Sequence, residues 1–160
     1  MQVKSKINTL ISLKPKTIFL LLEAYLYLGW ARLLKIIPFS KVAPSLGEHM
    51  EETPNHVKAE HTAVIKNISH ALHIMGKYTF WESQCLVKAV AGMKMLEKRG
   101  IDSTLYLGTA RDESGQMVAH AWLRSGPFYL SGAEGMEKFT TVGMFAKKVG
   151  AHHGKGGSYE

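Results

Sequence analysis

The sequence predicts an α+β fold, with helices in the first part of the chain packed on a small antiparallel sheet formed after residue 100. Three observations predict it. Apolar residues recur at helical spacing from 57 to 75, and again from about 83 to 99. After Gly100 the period changes to two, in runs at 103–109, 117–124 and 127–131. The turns between those runs, at 112–115 and 125–126, are of hairpin length and leave no room for a parallel crossover.

The first element is a helix over residues 16–37, apolar on more than one face, as expected of a helix that docks on something. Pro38 ends it, and residues 44–54 carry the breaker residues and charge of a linker. The second helix runs through Val57, Val64, Ile65, Ile68 and Leu72, with Gly76 as its expected stop. The third starts near Ser83 and ends at Arg99, where Gly100 supplies a left-handed cap; Cys85, Ala89, Gly92, Met93 and Leu96 share one of its faces. Residues 1–54 are thus expected to be a helical docking segment and linker, 55–146 the core domain, and 147–160, rich in Gly, Lys and His, a flexible tail.

The chain has 160 residues, a net charge of +7 and a single cysteine. Most of the excess charge lies in residues 1–41, where Lys4, Lys6, Lys14, Lys16, Arg32, Lys35 and Lys41 face Glu23 alone. A basic end of this kind suits an anionic membrane surface, a nucleic acid or an acidic partner. One cysteine excludes an internal disulfide and any multi-cysteine zinc site, and fits a reducing, cytoplasmic setting. The apolar run 17–30 is interrupted by Glu23 and is shorter than the ~20 residues that span a bilayer. No small-residue cleavage site follows it, which argues against export. No glycine-rich phosphate loop and no aromatic-interleaved basic stripe is present, so neither a nucleotide cofactor nor nucleic acid is expected. His70 and His73 lie one helical turn apart without a carboxylate or thiol at ligand spacing, and His152 and His153 lie in the tail, so no metal is expected either.

Cys85 is either a small buried hydrophobe or a reagent. The reactive reading needs a lowered thiol pKa, supplied by a helix start or a neighbouring imidazole. Cys85 falls in the first turn of its helix, where unpaired amides favour negative charge and can receive an oxyanion. His120 is placed in the middle strand of the predicted sheet, on the face opposite Ala119 and Ala121. A helix start packed on His120's face would bring thiol and imidazole together, as nucleophile and general base.

These residues match a known family. The chain resembles the leader peptidases of lasso-peptide biosynthesis, microcin-processing cysteine proteases with a transglutaminase-like, papain-related core. The resemblance rests on QCLVKA at 84–89 opening a helix that closes with LEKRGI at 96–101, followed by LYLGT at 105–109, DESG at 112–115 and AHAWL at 119–123. It includes RLLKIIPF at 32–39 and covers roughly residues 20–135. It implies a cytoplasmic thiol peptidase that cuts the leader from a ribosomally made precursor, so that an ATP-dependent synthetase can close a macrolactam on the freed amine. Residues 1–54 have no room for a winged-helix leader binder, so a separate leader-recognition protein is expected.

Many relatives carry an Asp about twelve residues after the histidine; here that position is Gly132. Glu134, the nearest downstream acid, is the preferred third catalytic residue because a carboxylate orients an imidazolium best. Ser131 and a backbone group are the alternatives. Gln84 is a candidate oxyanion-holding amide and Trp122 a candidate cleft wall. Two other functions stay open: a peptide-binding adaptor on a degenerate core, motivated by Gly132, and acyl transfer to an amine through the same acyl-enzyme. The N-terminal helix is expected to dock on a partner or the synthetase, with peripheral membrane contact as the second choice.

Overall fold

The computed structural model describes residues 14–79 and 84–150. Helix α1 (Pro15–Leu34) begins with proline in its first turn, where the missing N–H costs nothing. A short helix α2 (Phe39–Val42) and a 3-10 turn (Ala43–Leu46) lead to a two-residue strand β1 (Glu48–His49). Helix α3 (Ala59–Tyr78) and helix α4 (Cys85–Glu97) follow. Then come β2 (Ser103–Arg111), β3 (Met117–Ser125), β4 (Phe128–Ser131), a 3-10 turn (Met136–Lys138) and β5 (Thr140–Lys147). The five strands form one antiparallel sheet in the order β1-β5-β2-β3-β4, so the α+β architecture expected of the sequence is present.

Three expectations change. Gly76 does not stop α3, which runs on to Tyr78; the end of the Lys88 side chain of α4 lies over the glycine, its Cε 2.8 Å from where a Cβ would stand. A fifth strand, β5, pairs with β2 on the side away from β3, so β2 and not β3 is the middle strand. The N-terminal helix is 20 residues, long and apolar enough by length and composition to cross a membrane, contrary to the shorter run read from the sequence. The expected start of α4 at Ser83 and the tail at 151–160 lie outside the described residues.

One core joins the helices to one face of the sheet. Ala24 and Leu28 of α1, Ile65, Ile68 and Leu72 of α3, Val87 and Leu96 of α4, and Leu105 and Leu123 of the sheet are all buried in it. Each such leucine or isoleucine stabilises the fold by about 1.5–3 kcal/mol relative to exposure. The helix assigned to a docking segment is therefore also part of the core. Its Glu23 accepts from Arg99 Nη1 at 2.9 Å and Nη2 at 2.6 Å, which pins α1 to the end of α4. There Gly100, at φ +69°, lets Ile101 N–H return to Leu96 C=O, and β2 starts two residues later.

Alternation sorts the sheet into two chemistries. Leu105, Leu107, Ala121 and Leu123 share the helix-facing side, because β2 pairs Leu105 with Leu123 and Leu107 with Ala121. A Cβ on Gly92 of α4 would sit 2.7 Å from Leu123 Cδ2, which shows how closely that helix lies on β3. The other side carries Thr104, Tyr106 and Gly108 opposite Arg124, Trp122 and His120. The strand-like segment before α3 crosses this second face: Thr53 N–H donates to Thr104 Oγ1 at 2.9 Å, and Arg124 Nη2 to Thr53 C=O at 2.9 Å.

Candidate active site

Cys85 is the first residue of α4. Gln84 has extended backbone angles (φ −65°, ψ 167°) and no side-chain cap, and the first turn contains no acid. The first intrahelical bond runs from Lys88 N–H to Gln84 C=O, so the amides of Cys85, Leu86 and Val87 precede the hydrogen-bonded ladder. That end of the helix is an electropositive seat for an acyl oxygen turning into an oxyanion. Cys85 is half-buried against the core.

His120 lies on β3 and its ring is held. Nε2 is 2.8 Å from Gly132 C=O. A carbonyl only accepts, so Nε2 carries the proton and the neutral ring keeps Nδ1 as its basic nitrogen. Among the described residues Nδ1 makes no hydrogen bond. The ring stands between Phe139 and Trp122, with centroids at 4.9 and 5.9 Å. Trp122 in turn stacks on Tyr106 at 5.6 Å and 7°. Tyr106 OH receives Arg124 Nε–H at 2.8 Å and donates to Glu52; burial first, then the bond to this carboxylate, pushes its pKa up to about 12. A line of side chains from Glu52 to His120 thus supports the imidazole from one side.

The placements differ from expectation in several respects. The partner of the His120 ring is the Gly132 carbonyl, the backbone alternative, and not Glu134, which is exposed on the loop after β4. A carbonyl can take this place because Gly132 sits at φ +73°, packed on Ala121 C=O and Trp122 Cα, where no side chain fits. Trp122 is only 6% exposed and backs the ring rather than walling an open cleft. Gln84 Oε1 accepts from Lys35 Nζ. Ser131 pairs with Leu123 and so shares the helix-facing side; its buried Oγ has no hydrogen-bond partner among the described residues. The sequence reading held a backbone group only as an alternative, and the carbonyl that meets the ring, Gly132 C=O, had one signal: a lone glycine directly after a strand.

The last difference concerns Cys85 and His120. Helix α4 packs on the face of β3 that carries Ala121 and Leu123, so His120 projects from the opposite face, whereas the sequence reading had the helix on His120's own side. Both nevertheless lie toward the same end of the sheet. Gly92 marks the level of Leu123; seven helical residues back to Cys85 and three strand residues back to His120 each cover about 10 Å. At that level β4 has ended, since it pairs with β3 only through Ser131, Tyr129 and Phe128, and Gly132 in the following loop packs against Ala121 C=O and Trp122 Cα. Among the described residues no hydrogen bond connects thiol and imidazole. A groove of about 580 Å³ between α3 and β4 ends there, lined by Ser69, His73, Ser131 and Gly132 among others. Among the described residues no three His, Cys, Asp or Glu side chains cluster as metal ligands would.

Comparison with known proteins identifies the scaffold. The family model of the transglutaminase-like superfamily matches residues 24–144. The chain belongs to the transglutaminase-like superfamily. The match starts inside α1 and ends inside β5, so it takes in the cysteine helix, the histidine strand and the sheet that carries them. No curated protein and no solved structure matches the chain.

Proposed function

We propose that this transglutaminase-like protein is a cysteine peptidase, with Cys85 as nucleophile, His120 as general base and the Gly132 carbonyl as the group that orients the ring. The observation that carries the reading is the 2.8 Å contact between His120 Nε2 and Gly132 C=O. It fixes the tautomer that leaves Nδ1 to take a thiol proton. The same carbonyl goes on accepting from Nε2 once the ring is an imidazolium, which lowers the cost of charging it. Cys85 Sγ then attacks the scissile carbonyl, whose oxygen develops charge at the start of α4. Collapse expels the amine, which takes the proton from Nδ1, and water attacking the thioester releases the acid and restores the thiol.

The substrate reading follows the resemblance to lasso-peptide leader peptidases. The groove between α3 and β4 suits an extended peptide, and its inner end at Ser131 and Gly132 adjoins the ring. On this reading the substrate is a ribosomally made precursor cut between leader and core, delivered by a separate leader-binding protein and passed to a macrolactam synthetase. Cys85→Ala is expected to leave the precursor uncut while the thermal transition stays within about 2 °C. Release of leader by that variant at the wild-type rate refutes the assignment of the nucleophile.

A second reading is favoured by one observation, the approach of Cys85 and His120 from opposite faces of β3. A non-catalytic peptide-binding adaptor on the same scaffold would tolerate that separation. Alkylation by iodoacetamide distinguishes them cleanly, because the chain has one cysteine. A rate at pH 7 that falls at least tenfold in His120→Ala supports the enzyme; equal, slow rates in both, with precursor still bound, support the adaptor. Acyl transfer shares the thioester, and product mass separates amide from free acid.

A further inference from the structure

The face of α1 turned away from the core is apolar, although no element among the described residues covers it. Phe19, Leu22, Leu26, Trp30 and Leu33 recur at spacings of three and four and form one stripe; Phe19 and Leu26 are 72% and 71% exposed. The opposite face, with Leu21, Ala24, Leu28 and Ala31, is buried in the protein. The stripe has charged neighbours of one sign only. Lys14 and Lys16 stand at its start and Lys35 and Lys41 beyond its end, all exposed. The one acid of the helix, Glu23, is neutralised by Arg99 at 2.6 Å and Lys98 at 3.5 Å.

We propose that α1 is an in-plane membrane anchor that seats the protein on an anionic phospholipid surface. An apolar stripe bracketed by lysines is what an interfacial helix presents: acyl chains take the apolar side chains and headgroup phosphates the ammonium groups. Trp30 belongs at the boundary between them. Burial of the other face sets the orientation. Crossing the bilayer would draw Ala24 and Leu28 out of the core and break the Glu23–Arg99 pair, whereas lying in the surface requires neither. A protein partner would meet the same stripe, but five unopposed basic residues, counting Arg32, favour phosphate-rich lipid. Lys35, at the end of the helix, bonds Gln84 beside Cys85, so the anchor places the start of α4 near the membrane surface.

The test is co-sedimentation of the full chain with vesicles of phosphatidylcholine containing one-third phosphatidylglycerol, against vesicles of phosphatidylcholine alone. Binding to the anionic vesicles is expected to be at least tenfold tighter and to weaken in 0.5 M salt, since each lysine near such a surface contributes about fivefold. The double variant Leu22→Glu/Leu26→Glu, at exposed positions, is expected to lose at least tenfold with an unchanged circular-dichroism spectrum. Lys14→Glu/Lys16→Glu is expected to lose a similar factor on anionic vesicles only. Equal binding to both lipids, no binding to either, or wild-type binding by Leu22→Glu/Leu26→Glu overturns the proposal. So does a wild-type dimer in sedimentation equilibrium that the Leu22→Glu/Leu26→Glu variant abolishes, because the stripe is then covered by a second copy.

Discussion

Gly132 stands where the resembling peptidases carry the aspartate that orients histidine, and restoring a side chain there is the sharpest test of the geometry. Its φ of +73° is left-handed, which costs a residue with a Cβ about 1–2 kcal/mol. The built Cβ would lie 2.2 Å from Ala121 O and 2.9 Å from Trp122 Cα. Both are backbone atoms, so relief requires the loop after β4 to move away from β3, at a packing cost of about 1–3 kcal/mol. That movement withdraws the carbonyl from His120 Nε2 and forfeits a hydrogen bond of about 1 kcal/mol. Gly132→Ala should therefore destabilise the protein by about 3–6 kcal/mol and, at about 3 °C per kcal/mol for a chain of this size, lower its thermal midpoint by about 9–18 °C.

Gly132→Asp should be no better, although it supplies the carboxylate that relatives use, because the carboxylate starts from a Cβ that has no place. Urea unfolding measures the stability. The pH dependence of Cys85 alkylation, at a temperature where both proteins are folded, measures the loss of ring orientation. If Gly132→Ala unfolds within about 0.5 kcal/mol of wild type and alkylates with the same pH profile, the glycine is not required and the carbonyl does not hold the ring.

The other predictions are simpler. Hydrogen bonds from Arg99 hold the Glu23 carboxyl below its ordinary value of 4.5, against partial burial, so its contribution is present above that pH and is lost as the pH falls through the lower, folded value. Glu23→Gln should cost about 1–2 kcal/mol at pH 7 and flatten the acid limb of the stability profile below pH 4.5, read by urea midpoints from pH 2.5 to 7. Tyr106→Phe should remove the tyrosine that ionises near pH 12 in an ultraviolet titration, and leave buried Arg124 Nε short of an acceptor at about 1–3 kcal/mol. Gly92→Ala should cost about 1–3 kcal/mol, because the methyl group meets Leu123 Cδ2 at 2.7 Å and Leu72 Cδ1 at 2.9 Å; a neutral result would mean those two side chains yield freely.

Periodicity made α3, α4 and the strands β2, β3 and β4 legible, because each buries one face and repeats at its own spacing. Strand β5 escaped it. Val142 is the extra residue at a bulge where Leu107 pairs with Gly143 and Gly108 with Thr141, so the alternation of TTVGMFAK slips midway. The cysteine and the histidine were legible as candidates, while the group that meets the histidine ring was not singled out, since it is a backbone oxygen and any residue owns one. The face of β3 that receives α4 was readable in principle. Ala121 and Leu123 are apolar, whereas His120, Trp122 and Arg124 include a charge, and a helix packs on the apolar side.

That last distinction bears on how the site closes. If β4 continued past Ser131 alongside β3, the strand would wall off the flank at His120 and no thiol from the helix face could reach the ring. Gly132 prevents this, because its left-handed backbone turns the chain out of the sheet one residue after Ser131 and points its carbonyl at Nε2. On the proposed reading the same glycine ends the strand, keeps β4 from pairing alongside His120 and stands in for the orienting carboxylate. A residue that does all three cannot be exchanged for aspartate without closing or distorting the approach. On this reading the departure from the relatives' triad is compensated within the loop itself, and the dyad of Cys85 and His120 needs no acidic third member.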